Sequence, residues 1–566
     1  MPNRHFIGKV QAPNKGPRPT MGSPVNHITD ANQRDTSSKN VLSCPLELPE
    51  ASEPSKPPCP LDDQKETLVF LGKSKSYGLE TSVDRLGLVD SILYFTEQHT
   101  YRIRRSRPMG CRDELDVAQR GILAQAELNF GKTTSPGIYL CLRPVLRGPN
   151  TLKLGEGVQQ IDGFQAPEGW VLIDWLVQMQ RYDYNQTFDK IGGLEDLSLD
   201  DCCSLAQYLV DLHSWSTSYD QENWGEWLEA HLKSFGKRPQ LFAPQPGLRG
   251  LKASLDQALQ LNEQLKPLLH MRARHGQVQA LHGNMRLANF VSQDGVPQLI
   301  NPRLVDNSPQ RGDCLFDIAG LLIDLWSQGQ REASNWIFSR YFGSLLDNSN
   351  LDGLRALSLM MFVRSIDRAL AICPIDEACR SGARCSLASA FEGFVRTAME
   401  SLLEEPKILI VLGGPDSKMK TEFAQSLSPA LGRMPGGLWL STNHEKTLLD
   451  PSGHQQTRHQ AGLYDLVHEY MLEKARYGLE ANFSVLLEWG ALHPACLNAM
   501  GQFAVATEAV LVPIWLTDNK ETVKSNRLAE AGWTILDASM EIEDMLHRAH
   551  GLLGKACDRG FPGILH

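Results

Sequence analysis

No stretch of this sequence approaches the roughly 18 uninterrupted apolar residues that a bilayer-spanning helix needs, so a soluble chain is expected. The first residues also lack the apolar core of a secretory signal. The twelve cysteines include no Cys-x-x-Cys pair and no neighbouring His cluster. Cys373, Cys379 and Cys385 recur every six residues, which suits no metal, and Cys202 and Cys203 read as helix positions. Scattered free thiols fit a reducing cytoplasm. Positive charge is scarce too: 56 Lys and Arg stand against 66 Asp and Glu. The net charge of −10 argues against nucleic acid or an anionic membrane as the main partner. No internal repeat is visible.

What is present is ordinary globular composition, 42% hydrophobic and 22% charged, over a length that needs several domains. Residues 1–65, rich in Pro, Ser, Asn and Lys and without periodicity, are expected to form a disordered tail. Within it, 41–48 or 6–10 is a candidate docking motif for a partner protein. Ordered structure is expected from near Thr67. Alternation predicts strands over 89–95 and 99–104, a helix over 112–128, and a strand pair around 138–145 and 169–182. Helices follow from Leu199, where Ser198 and Asp201 have capping-box spacing. A loop with two short strands spans 278–301, and 351–400 is helical. Residues 404–407 read as a linker. The apolar run 408–412, followed at once by Gly413-Gly414, then opens an α/β domain. The expected fold class is therefore an α+β part followed by an α/β part with a parallel sheet.

Two segments carry chemistry. In the first, Leu281-His-Gly-Asn-Met-Arg-Leu-Ala-Asn-Phe290 resembles the H-G-D-x-x-x-x-N catalytic loop of aminoglycoside-phosphotransferase-like kinases. Asn301 stands where that resemblance places a metal-binding Asp. The run from Asp313 to Leu322 resembles the family's D-x-x-x-D-[IVL]-A segment. Arg102 and Arg104 stand where the clamp lysine belongs, and Glu127 at the helical Glu. Phosphoryl transfer needs one carboxylate to orient the attacking hydroxyl and another to hold Mg²⁺. Asn284 and Asn301 are amides at both positions; an amide takes no proton at neutral pH and brings no negative charge to a metal. Asn289 remains as a possible ligand, and the planar guanidinium is not equivalent to a lysine. By the resemblance, His282 and Asp317 support the loop. Asp306 or Asp313 acting as a replacement base is a minor alternative.

The second segment, Gly414-Pro-Asp-Ser-Lys-Met-Lys-Thr421, follows an apolar strand as a Walker A loop does, with Met419 in place of the last Gly. Lys420 would clamp phosphate and Thr421 would ligate Mg²⁺. Met419 adds bulk where the backbone must approach phosphate, and Asp416 adds an anion. Residues 438–446 resemble the second strand of small P-loop kinases, with Thr442 in place of an Asp. Residues 483–490 resemble the acidic strand, where Glu488 is kept. Arg527 falls on a lid-like helix.

Together, residues from about 67 to 560 resemble bacterial proteins that fuse an aminoglycoside-phosphotransferase-like domain to a C-terminal P-loop ATPase or kinase domain. The implied layout is a tail over 1–65, a bilobal kinase fold over 66–403 (lobes about 66–183 and 184–403), and a P-loop domain over 404–566. With base, metal ligand, clamp lysine, P-loop glycine and acceptor Asp all changed while the core strands stay apolar, the expected function is a pseudoenzyme. It would serve as a cytoplasmic binding or regulatory scaffold, with weak affinity for ATP and Mg²⁺ or none. The alternative is an ATP-dependent phosphotransferase or ATPase working through Lys420, Thr421 and Glu488.

Overall fold

The computed structural model describes residues 64–558, apart from 89, 107–114, 191–196, 217, 220–222, 243–245, 306–307, 346–347, 373–382, 451–459, 491–495 and 518–527. The motifs at 6–10 and 41–48, Asp306, Cys373, Cys379 and Arg527 lie outside these residues.

The first described element lies slightly ahead of Thr67, where the sequence placed the start of ordered structure. Helix α1 (Lys65–Leu71) is anchored by Gln64, whose buried side chain donates to Arg104 O (2.8 Å) and Asp174 Oδ2 (2.7 Å). Strands β1 (Asp84–Gly87), β2 (Ser91–Phe95) and β3 (His99–Arg104) follow, then α2 (Val117–Thr134), β4 (Tyr139–Arg147), β5 (Leu152–Leu154) and β6 (Val171–Gln180). The six strands form one antiparallel sheet in the order β1-β2-β3-β6-β4-β5. Helix α2 starts at a capping box between Asp116 and Gln119. Two of its glycines let it lie close on the sheet: a Cβ at Gly121 would stand 2.7 Å from the Trp175 ring, and one at Gly131 2.3 Å from the Tyr139 ring. That close approach carries Glu127 to β3.

The chain then turns helical, with α3 (Leu199–Trp215) capped by Ser198 and Asp201 as expected, α4 (Trp224–Phe235) and α5 (Leu251–Arg274). The region expected to hold two short strands holds three, β7 (Val278–Leu281), β8 (Phe290–Gln293) and β9 (Val296–Leu299), with β10 (Leu304–Val305) and β11 (Ser308–Asp313) after them. Strands β8 and β9 form a hairpin closed by Asp294 and Gly295, both at positive φ (52° and 79°), the conformation a two-residue hairpin turn requires. Helices α6 (Leu315–Ser327), α7 (Arg331–Gly343), α8 (Asn348–Leu351), α9 (Leu354–Ile372) and α10 (Ala383–Ser401) complete this half.

The remaining elements alternate: β12 (Ile408–Gly413), α11 (Lys418–Leu427), β13 (Leu438–Ser441), α12 (Thr442–Leu449), α13 (Gln460–Glu480), β14 (Val485–Glu488), α14 (Leu497–Ala506), β15 (Val510–Thr517), β16 (Thr534–Asp537) and α15 (Ile542–Asp558). The strands form a parallel sheet in the order β13-β14-β12-β15-β16. Every residue of β12 is buried, as expected of a central parallel strand covered on both faces. The chain leaves β12 toward one edge and later crosses it to reach β15. The carboxyl end of β12 is therefore the point where open α/β sheets form a ligand crevice.

The two halves share a core. One hydrophobic cluster runs from Phe188 through α6, α7 and α9 to Leu438, Phe483 and Trp533. Polar anchors cross the same seam through α7. Asn335 Nδ2 donates to Gly437 O (2.8 Å), Trp336 Nε1 to Gln425 O (3.2 Å), and Ser339 Oγ accepts from Trp439 N (3.0 Å). The buried Lys474–Glu445 ion pair (2.7 Å) also donates to Gly343 O (2.6 Å).

Candidate functional site

Strand alternation places Arg102 and Arg104 on one face of β3, where α2 brings Glu127. Arg102 Nη1 donates to Glu127 Oε1 (2.8 Å) and Arg104 Nη2 to Glu127 Oε2 (2.7 Å). Both guanidinium groups also reach Asp90, a partner that the sequence reading missed. The same Arg102 Nη1 stands 2.8 Å from Asn301 Oδ1.

The β8–β9 hairpin pairs Phe290 with Leu299, so Asn289 and Asn301 emerge at one end of it. There the three amides satisfy one another. Asn301 Nδ2 donates to Asn289 Oδ1 (3.2 Å), Asn289 Nδ2 to Asn284 O (2.7 Å), and Asn284 Nδ2 to Asn301 O (3.1 Å). Asn301 itself sits at φ 61°, a left-handed conformation that Asn tolerates better than most residues. His282 Nε2 donates to Ile300 O (3.0 Å), and Asp317 accepts from the N–H groups of His282 (2.7 Å) and Gly283 (2.9 Å). Burial pushes the His282 imidazole down to about 3, so it is neutral; burial pushes Asp317 up to about 6 against the pull of Arg364 and those two N–H groups. Asp313 sits apart, held in two hydrogen bonds by Arg272 (2.7 and 2.9 Å), and is not placed to act on this cluster.

These groups come together as the motif spacing implied, but they do not fit a Mg-nucleotide. A metal at Asn301 would meet an oxygen already bonded to a buried cation, with no carboxylate in the amide ring to hold it.

At the carboxyl end of β12, Gly414 has φ 121°, and a Cβ there would stand 2.4 Å from Leu516 O, so only glycine fits. Helix α11 begins at Lys418, earlier than the Walker A pattern places it, with Ser417 as its N-cap, and Met419 is already helical. Ser417 Oγ takes the Lys420 N–H (3.2 Å), a donor that a phosphate cradle would use. The buried Lys420 ammonium donates to Asp416 Oδ1 (2.8 Å), Trp489 O (3.1 Å) and Gly414 O (3.2 Å). Its phosphate-side charge is thus met from within the loop. Thr421 Oγ1 lies 2.5 Å from Glu488 Oε1, while Trp439 Nε1 donates to Glu488 Oε2 (3.0 Å). Thr442, expected at an acceptor position, bridges Glu488 O (3.2 Å) and Gly490 N (2.9 Å). The Thr421–Glu488 pair suits a metal position; the loop as it stands does not suit the phosphate. No group of three or more His, Cys, Asp or Glu side chains is placed to hold a metal among the described residues.

Asp416 was legible as an unwelcome anion, but its bond to Lys420 was not. The Ser417 cap had the signal of a Ser just ahead of a helix. No helix among the described residues is long and apolar enough to cross a membrane.

No family model matches the chain, and no curated protein matches it. Among solved structures, it is similar to a choline/ethanolamine kinase family protein from Mesorhizobium loti, at 13% identity and a TM-score of 0.31 over 59% of this chain and 99% of that one. It is also similar to a glucosamine kinase, at 14% identity and a TM-score of 0.32 over 57% and 75% of the two chains. A structure titled as glucosamine kinase in complex with glucosamine, ADP and inorganic phosphate aligns at 15% identity and a TM-score of 0.32, over 56% and 79%.

Proposed function

We propose that this chain is a pseudoenzyme: a kinase-like half and a degenerate P-loop-like half used as a binding or regulatory scaffold, with residues 1–65 recruiting a protein partner in the cytoplasm. One observation carries the reading. At both candidate sites the chain's own charges occupy the place of the ligand's, Arg102 on Asn301 and Asp416 on Lys420. A general base typically contributes about 10²–10⁴ in rate, and Asn284 cannot serve as one. Calorimetric titration with ATP, with and without Mg²⁺, beside an assay for phosphoryl transfer and ATP hydrolysis, tests it. The expected result is no turnover and at most weak binding. Turnover that disappears in Lys420→Ala would sink it.

The second reading, an ATPase or small-molecule phosphotransferase working through the C-terminal half, has one observation in its favour: the Thr421–Glu488 contact keeps a metal-organising pair together. It requires Asp416 to leave Lys420 when nucleotide arrives.

A further inference from the structure

Beside the amide ring lies a group of arginines that neither reading uses. Arg286 belongs to the 282–289 loop, and Arg303 follows Asn301 closely. Arg364 and Arg368 are one turn apart on α9, and so share a face. Gly283 adjoins two of them. Arg364 Nη2 donates to Gly283 O (2.9 Å), Arg303 N donates to His282 O (2.8 Å), and Arg303 Cβ is 3.2 Å from where a Cβ on Gly283 would stand.

The carboxylates nearby pull on these arginines, Asp324 on Arg368 and Arg286 and Asp317 on Arg364, and the buried Asp189 Oδ1 beside Asp324 has no hydrogen-bond partner. None of them makes a direct hydrogen bond to the four guanidinium groups among the described residues. Asp317 holds the loop N–H groups, Asp324 accepts from Leu287 N (3.2 Å), and Asp367 pairs with His231 (2.8 Å), with Arg364 further off at 3.8 Å. Among the described residues, the side chains of Arg286, Arg303 and Arg368 make no hydrogen bond or ion pair, yet each is only partly exposed. The buried Nε atoms of Arg286, Arg364 and Arg368 have no acceptor there either. Burial lowers Arg368 to about 10, and Arg286, Arg364 and Arg303 add repulsion against the pull of Asp324. Arg364 also stands over the Phe316 ring (4.9 Å) and Arg368 over Phe394 (5.5 Å), but clustered guanidinium groups with so few acceptors leave charge and donors only partly satisfied, and such groups are costly unless an anion meets them.

We propose that Arg286, Arg303, Arg364 and Arg368 form a binding site for a phosphate-bearing small molecule, next to the position where a phosphate acceptor would meet Asn284. A phosphate group supplies several strong acceptors and matches the guanidinium fork, whereas a cationic amine is repelled from the same place. The proposal goes beyond the scaffold reading and does not depend on it, since binding here needs neither turnover nor nucleotide.

The test is calorimetry on the full chain with inorganic phosphate and with glycerol 3-phosphate at constant ionic strength. Wild type is compared with Arg303→Gln, Arg368→Gln and Arg476→Gln, the last an exposed charge on α13. We expect 1:1 binding, weakened about tenfold by each of the first two substitutions, as loss of a charged hydrogen bond implies, and unchanged by the third. Tighter binding of glycerol 3-phosphate identifies an ester as the ligand; equal binding identifies free phosphate. Should a glutamine variant unfold, Arg303→Lys and Arg368→Lys, which keep the charge and lose the fork, make the same comparison. Absence of binding by both probes, or binding that the Arg303 and Arg368 variants leave unaltered, overturns the proposal.

Discussion

Arg102 Nη1 lies 2.8 Å from both Glu127 Oε1 and Asn301 Oδ1, so one buried cation ties α2 to the end of the β8–β9 hairpin. Here a guanidinium supplies the cation, and an amide oxygen suffices as its partner. Arg102 and Asn301 are thus two parts of one arrangement.

Arg102→Met tests that arrangement. Glu127 is fully buried and would keep only Arg104, while Asn301 Oδ1 would lose its donor. Removing one member of a buried ionic network costs about 3 kcal/mol. Asp90→Asn, at a half-exposed partner of the same arginines, should cost less than about 1 kcal/mol. Urea denaturation of the two variants measures both; equal effects would show that the network is not held from the inside.

Asp416→Ala should unmask the second site. Lys420 then has only backbone carbonyls for company, and an incoming phosphate no longer competes with a carboxylate. Mg-ADP affinity is expected to rise about tenfold, in line with the strength of a charge-assisted hydrogen bond. The gain should vanish in the double variant with Lys420→Ala. Asp416 is half exposed, so stability should change little. Unchanged affinity, measured by calorimetry, would mean that the early start of α11 alone closes the site.

These two sites also mark how far the sequence could be read. Element types were legible because burial imposes periodicity: the wholly apolar 408–412 gave a central parallel strand, and alternation in 99–104 gave β3. The motif residues were legible because their spacing follows from loop geometry, and the hairpin does bring Asn284, Asn289 and Asn301 together. Partner choice was not. Arg102 reaches Asn301 across 199 positions, and Asp90 reaches both strand arginines only because β2 and β3 pair in a particular register. The arginine group around Gly283 was hidden for the same reason, since only Arg364 and Arg368 share a local period. The seam through α7 left no signal either, because a helix buried against two layers reads as any core helix.

That seam predicts joint unfolding. Lys474 and Glu445 are both buried, and their pair also binds Gly343 O of α7. Lys474→Met leaves Glu445 unpaired and that carbonyl without its donor, at a cost of about 3 kcal/mol. Because one core spans both halves, tryptophan fluorescence and far-UV circular dichroism should report the same shifted midpoint. Two separated transitions, with only the later elements destabilised, would show that the halves unfold independently.

The same seam carries a pH dependence. His444 accepts from Arg340 at Nδ1 and contacts Ser344 Oγ through Nε2 (3.3 Å). Burial first, then Arg340 and Lys474, push its imidazole down to about 3. An unfolded histidine titrates near 6.5, so between about pH 6.5 and 3 the unfolded chain binds a proton that the folded chain refuses. Stability from this group is complete above pH 6.5 and is lost as pH falls toward 3. His444→Gln keeps an acceptor for Arg340 and has no proton to take up. The difference in unfolding free energy between wild type and this variant should therefore shift by about 1.4 kcal/mol for each pH unit between pH 6 and 4, in the variant's favour as acid is added. Comparing urea midpoints of the two proteins across that range isolates His444, because every other titrating group is common to both. Parallel curves would mean that His444 takes up its proton in the folded protein, and that Arg340 swings away to allow it.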